Sequence, residues 1–175
     1  MSHSDHREIS KNMKALCAVV TCSDTRTEET DTSGAYILDG LKRAGHEVCG
    51  YQIVRDEPER IRALLEQYAA DGLDVVLING GTGISKRDST YEAIASMLEK
   101  TIPGFGELFR VISYEDIGPP AMLSRATAGV FRDMLVFSMP GSTAAVRLAM
   151  DRLILDELSH FVWEIRRGSS PVVRT

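Results

Sequence analysis

A chain of 175 residues has the size of one domain and can bury a core without help from disulfides or metals. Its 43% apolar and 26% charged residues, with both signs of charge mixed along the chain, exclude a disordered segment. With a formal net charge of -5 and no basic run longer than Arg166-Arg167, the attraction that drives nucleic-acid binding is missing, although a small anion can still be held by local N–H donors and cations.

Residues 1–13 read as a polar tail in which His3 and His6 are simply solvated. There is no apolar signal core, and no stretch approaches the roughly 20 apolar residues of a membrane span, so a cytoplasmic protein with no membrane partner is expected. Cys17, Cys22 and Cys49 form no CxxC pair, which fits a reducing compartment and thiols that are inert parts of the core. His46 and His160 likewise read as structural.

The domain is expected over 14–167, with 168–175 as a loose C-terminal tail. From Lys14, KALCAVVTCS is a nearly continuous apolar run, the pattern of a strand covered on both faces. A helix follows in AYILDGLKRAG, with Asp31 or Thr32 as N-cap and Gly45 as its stop. HEVCGYQIV reads as a second strand, PERIRALLEQYAADG as a helix opening on Pro58, and DVVLIN as a third buried strand. Ser89-Thr-Tyr-Glu92 matches a capping box and starts a helix through about Lys100. GFGELFRVISYED is another helix, a short one follows Pro119-Pro120, FRDMLVFSMPGS is a single strand ending in a tight turn, and 143–167 is one long amphipathic helix. Alternating strands and helices imply a doubly wound three-layer α/β/α sandwich with a mostly parallel sheet, whose ligands sit outside the C-terminal strand ends. The loops that begin at Ser23, Val54 and Asn79 all fall on that edge.

The stretch NGGTGISKRD, 79–88, carries the strongest chemical signal. Three glycines after a buried strand permit positive φ and close backbone approach, so that successive N–H groups can face a phosphate. A glycine-rich turn without ligand is the plain alternative. The Walker spacing fails because Ser85 stands where its second glycine belongs, and the dinucleotide fingerprint fails because Lys86 takes its third. Asp56 and Asp88 reach the same edge, and two carboxylates beside phosphates suit Mg²⁺. Each reads equally well as the N-cap of the helix that follows it. Ser23, Asp24 and the turn at Pro140, Gly141 and Ser142 are similarly placed, and Lys86, Arg87 and Arg125 are available to neutralise phosphate.

The segments TCSDTRTEETDTSG, VRDEPE, NGGTGISKRDSTYEA, IPGFGELFR, PPAMLSRATAG and SMPGSTAAV, in this order over 14–167, resemble the molybdenum-cofactor biosynthesis family that comprises molybdopterin adenylyltransferase and molybdenum cofactor biosynthesis protein B. The resemblance implies the molybdopterin-binding-domain fold, a homotrimer or hexamer, and the adenylylation of molybdopterin by ATP and Mg²⁺ with release of pyrophosphate. It implies catalytic and metal-binding roles for Asp56 and Asp88. It also implies ligand-binding roles for Ser23, Asp24, Gly80, Gly81, Thr82, Gly83, Ser85, Pro140, Gly141 and Ser142. The competing expectation is a molybdopterin carrier of the same fold that performs no turnover. A nucleotide hydrolase related to competence-damage proteins is expected to carry a second domain.

Overall fold

The computed structural model describes residues 13–168; both expected tails lie largely outside the described residues. Among the described residues six strands form one sheet: β1 (Leu16–Cys22), β2 (Glu47–Val54), β3 (Val75–Asn79), β4 (Lys100–Thr101), β5 (Thr127–Phe131) and β6 (Met134–Met139), in the order β2-β1-β3-β6-β5-β4. β2, β1, β3 and β6 run parallel, whereas β5 and β4 continue the sheet antiparallel. Helices α1 (Thr32–Arg43), α2 (Pro58–Ala70), α3 (Thr90–Met97), α4 (Pro103–Ile117), α5 (Thr143–Ala149) and α6 (Leu158–Gly168) cover both faces. The three-layer expectation therefore holds, with an antiparallel edge added to the parallel core.

The apolar runs alternate between two cores. Cys17 and Val19 of β1, Leu77 of β3 and Phe137 of β6 pack against α1, α4, α5 and α6, while Ala18, Val20, Ile78 and Val136 pack against α2 and α3. Every second side chain points to the opposite face, so a strand covered on both sides must be apolar throughout.

Three sequence expectations need correction. FRDMLVFSM is a hairpin: Arg132 and Asp133 both have positive φ, 47° and 64°, which is the two-residue turn whose twist matches paired strands. No glycine marks it, so the turn left no signal. The helix from Ser89 ends at Met97, and Lys100–Thr101 pairs with β5 as a short edge strand. The long C-terminal helix is interrupted by a π-helical turn, Met150–Ile154, closed by the Leu155 N–H donating to the Met150 carbonyl. The buried stripe Val146, Met150, Ile154, Leu158 and Val162 repeats every fourth residue. On an ideal helix that stripe turns away from the sheet by about 40° per repeat, and a wider turn restores it.

Candidate functional site

The C-terminal ends of β1, β2, β3 and β6 open onto the four loops singled out from the sequence, and hydrogen bonds tie these loops together. The Ser23 N–H donates to the Val54 carbonyl, and Ser23 Oγ accepts from the N–H groups of Thr25 and Arg26, closing the first loop. Arg87 binds Asp24 through Nε and Nη2 at 2.9 and 2.7 Å, so this carboxylate joins the first loop to the glycine loop. Arg26 Nη2 donates to the Gly141 carbonyl at 2.8 Å, which links the first loop to the 140–142 turn. Ser142 caps α5, its Oγ accepting from the Ala145 N–H.

The glycine loop is shaped by contacts that leave no room for a side chain. Gly80 and Gly81 have φ of 97° and 65°, and a Cβ on Gly80 would press into the Cys22 carbonyl. A Cβ on Gly81 would lie 2.5 Å from Thr90 Cβ and 2.6 Å from Asp56 Oδ2, and one on Gly83 would lie 2.6 Å from Asp88 Oδ2. One on Gly141 would stand 3.0 Å from Gly80 Cα. Asp56, Asp88 and the 140–142 turn therefore all rest against this loop, as the sequence reading placed them. Among the described residues, the amides of residues 81–86 donate to no acceptor, a row of open donors beside two carboxylates.

Neither aspartate caps the helix that follows it. Glu57 occupies the N-cap position of α2 without a side-chain bond, and Asp56 reaches across to α3 instead. Its carboxylate accepts from Ser89 N–H at 3.2 Å, Ser89 Oγ at 2.8 Å and Thr90 Oγ1 at 2.9 Å, and is buried. Asp88 Oδ2 accepts from Ser85 Oγ. The capping box does not form either: Ser89 Oγ is given to Asp56, and Glu92 pairs with Arg125. Arg125 does not point at an open anion site. Its Nε and Nη2 donate to the carbonyls of Thr82 and Gly83, and its guanidinium lies 4.5 Å from the centre of the Tyr91 ring.

Sequence reasoning missed a buried polar hub under these loops. The Asp31 carboxylate accepts from Gly34 N–H, Arg26 Nη1 and Tyr51 OH; Ser33 Oγ lies 3.0 Å from both Asp31 Oδ1 and Asn79 Oδ1 and shares its single proton between them, and Asn79 Nδ2 donates to Thr21 Oγ1. The segment TDTSG signalled only the helix cap, and the long-range partners Tyr51 and Asn79 left no trace in spacing. Burial raises the Asp31 pKa, but hydrogen bonds from Thr21, the Gly34 amide, Tyr51 and Ser33 outweigh it and hold the carboxyl below its ordinary value. A carboxyl so lowered contributes stability above the unfolded value near pH ~4 and loses it as pH falls through the folded value. Asp31→Asn is therefore expected to cost at least about 1 kcal/mol at neutral pH and to flatten the loss of stability below about pH 4, as read from urea unfolding at a series of pH values.

The thiols divide. Burial pushes Cys17 and Cys22 up to about 12, so both stay protonated at neutral pH and serve as core, as expected, whereas Cys49 is exposed and is not part of the core. His46 is buried, its pKa lowered by burial, and its Nδ1 accepts from the Ala15 N–H, a structural role. Among the described residues no three His, Cys, Asp or Glu side chains gather into a metal cluster, and no helix is long and apolar enough to cross a membrane.

Fold and edge together define a doubly wound α/β protein whose glycine loop, two loop-lining carboxylates and small-residue turn are gathered at the C-terminal ends of its parallel strands. Residues 18–160 match the family model described as "Probable molybdopterin binding domain". The chain is 55% identical over 169 residues to molybdenum cofactor biosynthesis protein B of Bacillus cereus, covering 95% of this chain and 99% of the relative. A crystal structure of a molybdenum cofactor biosynthesis protein B superposes with a TM-score of 0.84 at 58% identity, covering 88% of this chain and 97% of the other. The tungsten cofactor synthesizing protein MoaB from Pyrococcus furiosus gives 0.80 at 37% identity, covering 87% and 98%. The chain belongs to the molybdopterin-binding-domain family of molybdenum cofactor biosynthesis proteins.

Proposed function

We propose that this protein acts in molybdenum cofactor biosynthesis by binding molybdopterin and transferring adenylate to it from ATP, with release of pyrophosphate. The observation that carries this reading is the row of open amides at 81–86, flanked by Asp56 and Asp88 and abutted by the 140–142 turn. Family membership and the names of the relatives support the pathway.

The chemistry asks for positioning more than for covalent help. A terminal phosphate oxygen of molybdopterin attacks the α-phosphorus of ATP; the new P–O bond forms as the α,β-bridging P–O bond breaks, and pyrophosphate leaves with the electron pair. Amides of the glycine loop and Ser85 hold phosphate oxygens, and Ser23, Asp24 and the turn at Pro140, Gly141 and Ser142 line the remaining ligand. Asp56 and Asp88 would hold Mg²⁺ through their carboxylate oxygens, a donor set that suits a hard cation also bound by phosphate and water. When bound, it offsets charge on the polyphosphate and the leaving group. Asp56, hydrogen-bonded to Ser89 and Thr90, arrives already fixed in orientation. The test is pyrophosphate release by the purified protein given molybdopterin, ATP and Mg²⁺.

One observation favours the carrier reading as the alternative: Asp56 has a structural task at α3 whether or not it binds metal. A carrier binds molybdopterin, releases no pyrophosphate, and is indifferent to Asp88→Asn.

The working unit is a homo-oligomer, trimer or hexamer. α4 and the 3₁₀ turn after it, Pro119–Leu123, expose Leu108 (54%), Val111 (55%), Tyr114 (61%) and Met122 (79%), an apolar face for which a second copy is the proposed cover. Sedimentation is expected to show a multiple of 19.3 kDa, and Val111→Glu to shift it toward the monomer.

A further inference from the structure

The glycine loop is held from behind. The Gly81 carbonyl accepts from the Tyr91 N–H at 3.3 Å, the Thr82 carbonyl from Arg125 Nε at 2.8 Å, and the Gly83 carbonyl from Arg125 Nη2 at 2.6 Å. No peptide bond in the described chain is cis. In a trans peptide the C=O and the N–H of the next residue point in opposite directions. Three consecutive carbonyls captured on one side therefore turn the N–H groups of Thr82, Gly83 and Ile84 to the other, and none of these amides has an acceptor among the described residues. Arg125 is itself fixed by Glu92, through Nη1, and by stacking over Tyr91, both from the first turn of α3. The residue comes from the segment between α4 and β5, about forty positions along the chain from the loop it braces.

We infer that Arg125 is a positioning residue for the anion loop: it binds the Thr82 and Gly83 carbonyls, and by doing so aims the loop amides at the ligand phosphate without touching that phosphate itself. The inference rests on the reading of 80–88 as the phosphate site. It turns on the shape of the guanidinium rather than its charge. One planar fork serves two carbonyls and a carboxylate at once, whereas a lysine keeps the charge but presents a single ammonium.

The experiment measures Mg²⁺-ATP affinity by calorimetry on the full chain well below its melting temperature, for wild type and Arg125→Lys, together with kcat and KM for pyrophosphate release. Arg125→Lys is expected to weaken ATP binding and raise KM by about tenfold, with kcat held within about threefold. Affinity equal to wild type in Arg125→Lys overturns the inference, whether the melting temperature falls or not, because a merely structural or merely electrostatic arginine predicts that result. If Arg125→Lys does not fold, Glu92→Gln, which weakens only the anchor, is expected to weaken ATP binding by about threefold, and no change overturns the inference. A wild type that binds ATP without releasing pyrophosphate sinks the proposed reaction and leaves this comparison of affinities intact. A wild type that binds neither ATP nor pyrophosphate removes the phosphate site and the inference with it.

Discussion

Asp88→Asn is expected to slow pyrophosphate release by about a hundredfold or more while the melting temperature stays within a few degrees of wild type. In the proposed reaction Asp88 would help hold Mg²⁺, whose charge stabilisation is worth several kcal/mol, and each ~1.4 kcal/mol is a factor of ten in rate. The fold loses little, because among the described residues the Asp88 carboxylate accepts a hydrogen bond only from Ser85 Oγ, which an asparagine oxygen can still accept. Asp56 behaves differently. Its carboxylate satisfies the Ser89 amide and two hydroxyls at the start of α3 from a buried position. Asp56→Ala is thus expected to lose both turnover and about 1–3 kcal/mol of stability, by leaving those donors unpaired. Asp56→Asn keeps an acceptor, so it is expected to lose turnover and recover part of the stability. Pyrophosphate release and thermal melting on the three variants separate the two tasks. Normal turnover in Asp88→Asn would remove it from the chemistry.

The second large effect is on the glycine loop. Gly80→Ala places a methyl group against the Cys22 carbonyl at a φ of 97°, where neither β1 nor the loop can yield without breaking the β1–β3 pairing. A loss of more than about 3 kcal/mol, or failure to accumulate as folded protein, is expected. Gly81→Ala meets side chains instead, Thr90 and Asp56, so its expected cost is smaller, about 1–3 kcal/mol, but it displaces Asp56 and abolishes turnover. Gly104→Ala, in the first turn of α4 with nothing near the new methyl group, is the control and is expected to stabilise by up to about 1 kcal/mol. Urea midpoints decide among them, and equal stability of Gly80→Ala and Gly104→Ala would show that the loop is not constrained as described.

Most of what repeats locally was legible in the chain itself. The apolar runs at 15–22 and 75–79 announced buried parallel strands, because a strand covered on both faces has no polar side to show, and the mixed run at 47–54 announced a strand that takes the half-exposed edge of the sheet. NGGTG announced a loop that only glycines can trace, and Gly80 and Gly81 do sit at positive φ. Asp56, Asp88 and the 140–142 turn were placed at one edge by chain order alone, since parallel crossovers send every strand end the same way.

What tertiary structure decided is the set of partners each polar residue takes. From sequence, Asp56 read equally as a metal ligand and as the cap of its own helix, and Ser89 as the start of a capping box; in the fold, Asp56 serves the helix that begins more than thirty residues later. Arg125 and Arg87 were free cations, and the fold commits one to the loop carbonyls and the other to Asp24. The Arg132-Asp133 turn and the π-helical turn at Met150–Ile154 follow from strand pairing and from keeping an every-fourth-residue stripe against the sheet. The physical reason is one of range. Periodicity and glycine are local and are written in neighbouring residues, but a hydrogen bond or ion pair between Asp31 and Tyr51, or Arg125 and Gly83, exists only after the sheet has brought distant segments together.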